Sequence, residues 1–344
     1  MMPTDQPAFS RVHGGPDQLG VPLYDFSTNS NACGPCPLAQ NAVTLADARH
    51  YPDARYTVLR QQLADFHQVS VPRVLLAASA SEFIFRITGL VAQQGGRAVW
   101  LPPHSYGDYA QAAQAHRLAV VDQASDAQLS WCCEPSSPLG AAQAELSALL
   151  DAPAATVVLD RAYEPLRLAG ELALTQAQLQ NIWQLWTPNK ALGLTGVRAA
   201  YAIAPLGADS FANALEQLCP SWPVGAHGVA MLQAWVRPDV QTWLAHSLQT
   251  LRDWKARQIA LCQALGWTCL PSNANFFCAR PALSEGMSLQ QALADLRAHG
   301  IKLRDAASFG LPGHVRVSVQ PPMAQDALAT AWKSINQNMT KNYQ

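Results

Sequence analysis

The chain has 344 residues, 49% of them apolar and only 14% charged, with a formal net charge of −1 and eight cysteines. This length exceeds the usual single core, so two packed units are expected, and a charged fraction well below the usual quarter favours an exterior partly buried against another copy. A near-neutral chain without a basic stripe argues against nucleic acid as a partner, and eight cysteines in so long a chain do not make a disulfide scaffold.

The N-terminus, from Met1 to Gly20, has neither an apolar core nor a basic start, and no run is long enough to cross a membrane, so a cytoplasmic location is expected. His13-Gly14-Gly15 and then Asp25-Phe26-Ser27-Thr28-Asn29-Ser30-Asn31 form a polar arm. Cys33-Gly34-Pro35-Cys36 has the spacing of a dithiol redox motif. Phe26 to Ala32 does not read as the buried strand such a motif follows, and Pro37 comes directly after it, so a structural loop is the better reading. Cys132-Cys133 adds no second pair of zinc-site spacing, and no metal site is expected.

Tyr51-Pro52-Asp53 precedes a helix with Leu59, Leu63 and Phe66 on one face. A strand near 74–77 meets the small-residue turn Ala78-Ser79-Ala80-Ser81, followed by Phe83, Ile84, Ile87, Leu90 and Val91 at helical spacing. Small side chains there let an anion approach the free N–H groups of a helix start, although Ser79 or Ser81 serves equally as an ordinary N-cap. Strands are expected near 97–101, 118–122, 129–133, 155–160 and 199–204, alternating with helices. That pattern predicts an α/β fold with a mostly parallel sheet flanked by helices.

The 155–160 strand ends in Asp160, followed by Arg161-Ala162-Tyr163. An acid at the carboxyl end of such a strand lies where α/β sheets bind ligands, or else caps the next turn. Lys190 sits in the turn Thr187-Pro188-Asn189-Lys190-Ala191-Leu192-Gly193, ahead of an apolar segment and eight residues before Arg198. A lysine so placed is either a solvated surface group or a nucleophile whose amine is tuned by a nearby cation and partial burial.

After about residue 250 come Asn275-Phe276-Phe277-Cys278, a helix around Leu289, Leu293 and Leu296, Ile301-Lys302-Leu303-Arg304, a strand holding Arg316, and a terminal helix. The division expected is an arm over 1–45, a large domain over 46–250 and a smaller α/β domain over 251–344 that receives the arm.

The order of these motifs, with the aromatic segment Pro103-His104-Ser105-Tyr106-Gly107-Asp108-Tyr109 and the turn Pro135-Ser136-Ser137-Pro138-Leu139-Gly140, resembles the fold type I, class I/II aminotransferases that use pyridoxal 5'-phosphate. The likeness spans nearly the whole chain. It is closest to the branch of histidinol-phosphate aminotransferases and the threonine-phosphate decarboxylases of cobalamin synthesis, and the His13 arm leans to the decarboxylases.

The resemblance implies that Lys190 holds the cofactor covalently, that Asp160 pairs with its ring nitrogen, and that Tyr163 bonds its phenolic oxygen. Tyr106 would stack on the ring, Ser137 would stand near it, and Ser79, Ala80, Ser81, Thr187, Asn189 and Arg198 would surround the phosphate. Tyr51 would reach the cofactor of a second copy in a homodimer. Arg316 would take a substrate carboxylate, with Arg304, Asn31 and His13 nearby. Ser79, Ser137, Arg161 and Asn189 depart from the family's usual glycine, asparagine, acid and serine, which points to a distinct subfamily. The implied activities are transamination of a small amino acid or amino-acid phosphate, decarboxylation of L-threonine O-3-phosphate, or cofactor binding without turnover.

Overall fold

A computed structural model describes residues 13–150 and 156–342. Its strands are β1 (Tyr24–Asp25), β2 (Val74–Ala77), β3 (Ala98–Trp100), β4 (Ala119–Val121), β5 (Leu129–Cys133), β6 (Thr156–Asp160), β7 (Trp183–Trp186), β8 (Ala200–Ile203), β9 (Thr268–Cys269), β10 (Phe276–Arg280), β11 (Ile301–Lys302), β12 (Arg304–Asp305) and β13 (Val315–Ser318). Its helices are α1 (Pro37–Thr44), α2 (Thr57–His67), α3 (Ala80–Gln93), α4 (Gly107–Ala115), α5 (Leu146–Leu150), α6 (Gln176–Leu179), α7 (Asp209–Gln217), α8 (Ala226–Trp235), α9 (Pro238–Ala264), α10 (Leu289–Ala298) and α11 (Pro322–Asn342).

Seven strands form one sheet in the order β2-β8-β7-β6-β5-β3-β4. All run parallel except β8, which is antiparallel to both β2 and β7. The strands β2, β3 and β5 are buried along their whole length, as expected where helices cover both faces of a parallel sheet. One face packs Leu75, Leu129, Val158 and Leu185 under α3, α4 and α7. The other packs Leu76, Trp186, Tyr201 and Ile203 under α2 and α8.

The expected strands appear with small shifts at their ends, and Ala155 and residues 1–12 lie outside the described set. One strand of the seven-stranded sheet was not expected, and neither were the two-residue strands β1 and β9. Trp183-Gln184-Leu185-Trp186 forms β7, the strand that feeds the Lys190 turn. Its apolar pattern is interrupted by Gln184, which is buried and satisfied by donating to the Leu179 carbonyl and accepting from Arg161.

The 27-residue helix α9 spans about 40 Å and leads to a second sheet, β12-β13-β10-β9, which is antiparallel throughout. Its core joins Trp267, Phe277, Leu296, Val317 and Trp332 to Phe26 of the arm. The arm is tied there because β1 pairs in parallel with β11, Tyr24 opposite Ile301. Among the described residues no helix is long and apolar enough to cross a membrane.

Candidate active site

The carboxyl ends of β2, β3, β5, β6 and β7 point at one rim of the large sheet, and a cavity of about 110 Å³ opens there. It is lined by Ser79, Ala80, Ser81, Tyr106, Ser137, Asp160, Tyr163, Thr187, Asn189, Lys190 and Arg198, with Cys133, Ala162 and Ala199 completing the wall. Residues separated by more than a hundred positions thus meet because each follows or ends a neighbouring strand.

The turn after β2 becomes the start of α3. Ser79 is the N-cap, its hydroxyl accepting from the Glu82 N–H at 3.1 Å, which leaves the N–H groups of Ala80 and Ser81 without an intrahelical acceptor. Ser81 Oγ and the Tyr106 hydroxyl lie 3.3 Å apart. On the opposite wall the hairpin between β7 and β8 brings Thr187, Lys190 and Arg198 to the same rim, and Lys190 Nζ donates to Thr187 Oγ1 at 3.4 Å. Asn189 donates to the Thr195 and Val197 carbonyls and so fastens this hairpin.

Asp160 closes the floor. Its carboxylate accepts the Tyr109 hydroxyl at 2.7 Å and the Ala162 N–H at 2.9 Å. Burial raises its pKa, against which the Tyr109 hydrogen bond, the Lys190 charge and the Ala162 N–H act. Tyr109 is itself fully buried and stacks on Trp131, ring centroids 4.5 Å apart. Sequence reading missed its role: Tyr109 lay in the aromatic segment already noted, but its partner is 51 residues away. Asn29 was missed too; its amide donates to the Tyr163 hydroxyl at 3.4 Å. Lys190 Nζ lies 5.4 Å from the centroid of the Tyr163 ring.

A second, adjoining cavity contains His13, Tyr106, Tyr163, Arg304, Ser308, Phe309 and Arg316. Arg304 and Arg316 are directly opposite on β12 and β13. Arg316 donates to Ser137 Oγ and to the Ser27 carbonyl, while its buried Nε has no acceptor among the described residues. Burial and the Arg316 charge lower the Arg304 pKa to about 10. Arg304 donates to Ser308 Oγ at 2.7 Å and packs over Phe309. The His13 ring stands 6.2 Å from that of Tyr106.

Two expected residues lie elsewhere. Asn31 lines neither cavity: its amide donates to the Ala191 carbonyl and to Ser247 Oγ, bracing the Lys190 turn from behind. Tyr51 is 77% exposed and stacked on Trp222, outside the chain's own cavities. Arg161 turns away from Asp160 to the other side of the sheet, where it lies over Trp186. Cys33 and Cys36 are free thiols; Cys36 is fully buried ahead of α1, and burial pushes the Cys33 thiol up to about 11, which suits a loop contact and not a redox nucleophile.

The donor set of the first cavity fits pyridoxal phosphate. Free N–H groups at a helix start, hydroxyls and a guanidinium suit a phosphate dianion, the buried acid suits a protonated ring nitrogen, and the lysine amine lines the same cavity. Fold and site together define a pyridoxal-phosphate enzyme. The family model for aminotransferase class I and II matches residues 22–335, and the chain belongs to that family.

Its relatives include a histidinol-phosphate aminotransferase of Jannaschia sp. (strain CCS1), 27% identical over 91% of this chain and 90% of the relative. Another, from Halorubrum lacusprofundi, is 28% identical over 86% of this chain and 84% of the relative. Among solved structures, a histidinol-phosphate aminotransferase from Clostridium acetobutylicum superimposes with a TM-score of 0.79 at 19% identity, covering 92% of this chain and all of that one. The L-threonine-O-3-phosphate decarboxylase from Porphyromonas gingivalis gives 0.76 at 23% identity, covering 91% and 99%. At these identities the two structures speak for the fold alone.

Proposed function

We propose that the chain transfers an amino group between a 2-oxo acid and an amino substrate carrying a phosphate or carboxylate, as its histidinol-phosphate aminotransferase relatives are named for doing. The observation that carries this reading is the arginine pair beside the Lys190 cavity, Arg304 and Arg316, which stand opposite each other on β12 and β13 and both line the adjoining cavity. Bound pyridoxal phosphate supplies an electron sink for negative charge developing at the substrate Cα.

The chain supplies position and protons. Asp160 holds a negative charge at the floor, Tyr163 and Ser137 offer hydroxyls at the rim, and the helix start at Ala80 and Ser81 with Thr187 and Arg198 anchors phosphate. Arg316, with its planar fork, holds the substrate carboxylate. Lys190 Nζ then moves the proton at Cα, a general base and acid in turn. Tyr51 acts in the cavity of a second copy, in keeping with its exposure here, and the site is shared across a homodimer.

A second reading rests on the position of His13. Its imidazole at the substrate cavity adds a third nitrogen group to Arg304 and Arg316, and three such groups suit a substrate phosphate. With the phosphate held by both arginines, the α-carboxylate is left unheld and would leave as carbon dioxide, Lys190 Nζ delivering a proton to Cα in its place. Incubation with histidinol phosphate and a 2-oxo acid, and separately with L-threonine O-3-phosphate, tests the two readings. The first expects a new amino acid from the 2-oxo acid, with Arg316→Gln acting mainly on KM. Carbon dioxide from the threonine ester with no amino transfer would refute it and establish the second.

A further inference from the structure

Tyr51 is 77% exposed, so burial does not fix its ring, and its hydroxyl has no hydrogen-bond partner among the described residues. A distant segment of the chain fixes the ring instead. Trp222 stacks on Tyr51, the centroids 4.5 Å apart and the planes inclined by 25°. Its indole Nε1 also donates to the Pro52 carbonyl at 3.0 Å, across 170 positions of sequence. One side chain therefore holds both the Tyr51 ring and the backbone next to it.

The same two segments are joined a second time, deeper in the fold. The Tyr56 hydroxyl donates to the Val224 carbonyl at 2.8 Å and accepts the Val224 N–H at 3.2 Å, and Val224 is fully buried. Asp53 closes the turn between: its carboxylate accepts the N–H groups of Arg55 and Thr57 at 3.0 and 2.7 Å. Tyr56 and Trp222 both have left-handed backbones, φ 49° and 56°, a region that bulky residues rarely enter. Among the described residues only Gln68 and Arg117 join them there outside glycine. Such a conformation persists where the surroundings over-determine it, and what it holds in place here is a pair of exposed rings, Trp222 being itself 41% exposed. A stack left in solvent adds little to a core; its effect is to restrict the tyrosine.

We propose that Trp222 is a positioning residue for the cofactor site of a second copy, its indole holding Tyr51 ready, on the outside of the chain, for the phosphate of pyridoxal phosphate bound there. This rests on the reading that Tyr51 acts across a homodimer, and it adds what fixes that tyrosine. A side chain already held in its bound conformation loses less freedom on binding, so the stack acts as tighter retention of the cofactor. By symmetry the Trp222 of each copy serves the cofactor of the other.

The experiment dilutes the full chain loaded with pyridoxal phosphate and follows cofactor release by the loss of visible absorption, while light scattering reads the size of the assembly. Trp222→Ala is expected to weaken retention about three- to tenfold, the range of an aromatic stack. Tyr51→Ala should weaken it at least as much, with both variants remaining dimers. Trp222→Phe, which keeps a stacking ring, should stay within about twofold of the parent, whereas Trp222→Leu, which fills space without one, should behave as Trp222→Ala does. In the Tyr51→Ala background, Trp222→Ala should have no further effect, because the indole acts through the tyrosine. A full additional loss in the double variant, equal retention by Trp222→Phe and Trp222→Leu, or a Trp222→Ala chain that falls to monomers overturns the proposal. If Tyr51→Ala alone still loosens the cofactor, the shared site survives that result; unchanged retention in Tyr51→Ala removes the shared site itself.

Discussion

The charged form of Asp160 is one that its surroundings both penalise and support. Burial disfavours the carboxylate, and the Tyr109 hydroxyl at 2.7 Å offsets part of that penalty. Tyr109→Phe removes the donor without removing the ring that stacks on Trp131. A hydrogen bond to a charged group is worth about 1.5–3 kcal/mol, so kcat/KM should fall about 10- to 100-fold. Loss of the bond raises the Asp160 pKa further, and the acidic limb of the pH profile should move to higher pH; an unmoved limb would mean that Tyr109 only fills space. Lys190→Ala should remove the visible absorption band of the bound cofactor, a result read by spectrophotometry without any substrate, and persistence of the band would exclude Lys190 as the attachment point. Lys190 was legible in the sequence because its turn and Arg198 lie within a dozen residues. Tyr109 and Asn29 were not, since their contacts close loops of 51 and 134 residues.

At the level of elements, α2 is fixed to the sheet by His67 in its last turn, whose Nε2 lies 2.8 Å from the Tyr201 hydroxyl. An unfolded imidazole takes up a proton near 6.5, whereas His67 in the fold stays neutral down to about 3. Between those values the unfolded chain binds more protons, so this group makes the fold lose stability as pH falls, by up to about 1.4 kcal/mol per pH unit. His67→Phe should cost about 1 kcal/mol at neutral pH through the lost hydrogen bond while flattening the acid dependence. Denaturant midpoints at stepped pH measure both, and parallel curves for the two proteins would show that another group dominates. The strands β2 and β6 could be read from continuous apolar runs. β7 could not, because Gln184 looks polar until its two partners, Leu179 and Arg161, are brought beside it.

At the level of the whole molecule, the low charged fraction and the exposed Tyr51 and Trp222 pair belong together in the proposed homodimer. If each cavity takes its lysine from one copy and its tyrosine from the other, two defective variants can complement. Tyr51→Ala and Lys190→Ala, unfolded together and refolded as a mixture, should form hybrids with one intact site, recovering about a quarter of parental activity where either alone is nearly inactive. Activity no greater than the sum of the separate variants would place Tyr51 outside the site. The parallel sheet was legible from the alternation of strands and helices, whereas the pairing of Arg304 with Arg316 depends on a second sheet whose register short, irregular strands conceal.

The union of β1 with β11 has a consequence for biosynthesis. Tyr24 and Asp25 emerge early from the ribosome, yet the edge they join is formed by Ile301 and Lys302. Through most of translation the substrate side therefore has no roof, and a nascent chain halted before residue 300 could enclose the coenzyme end of the pocket while remaining unable to grip what it is meant to convert.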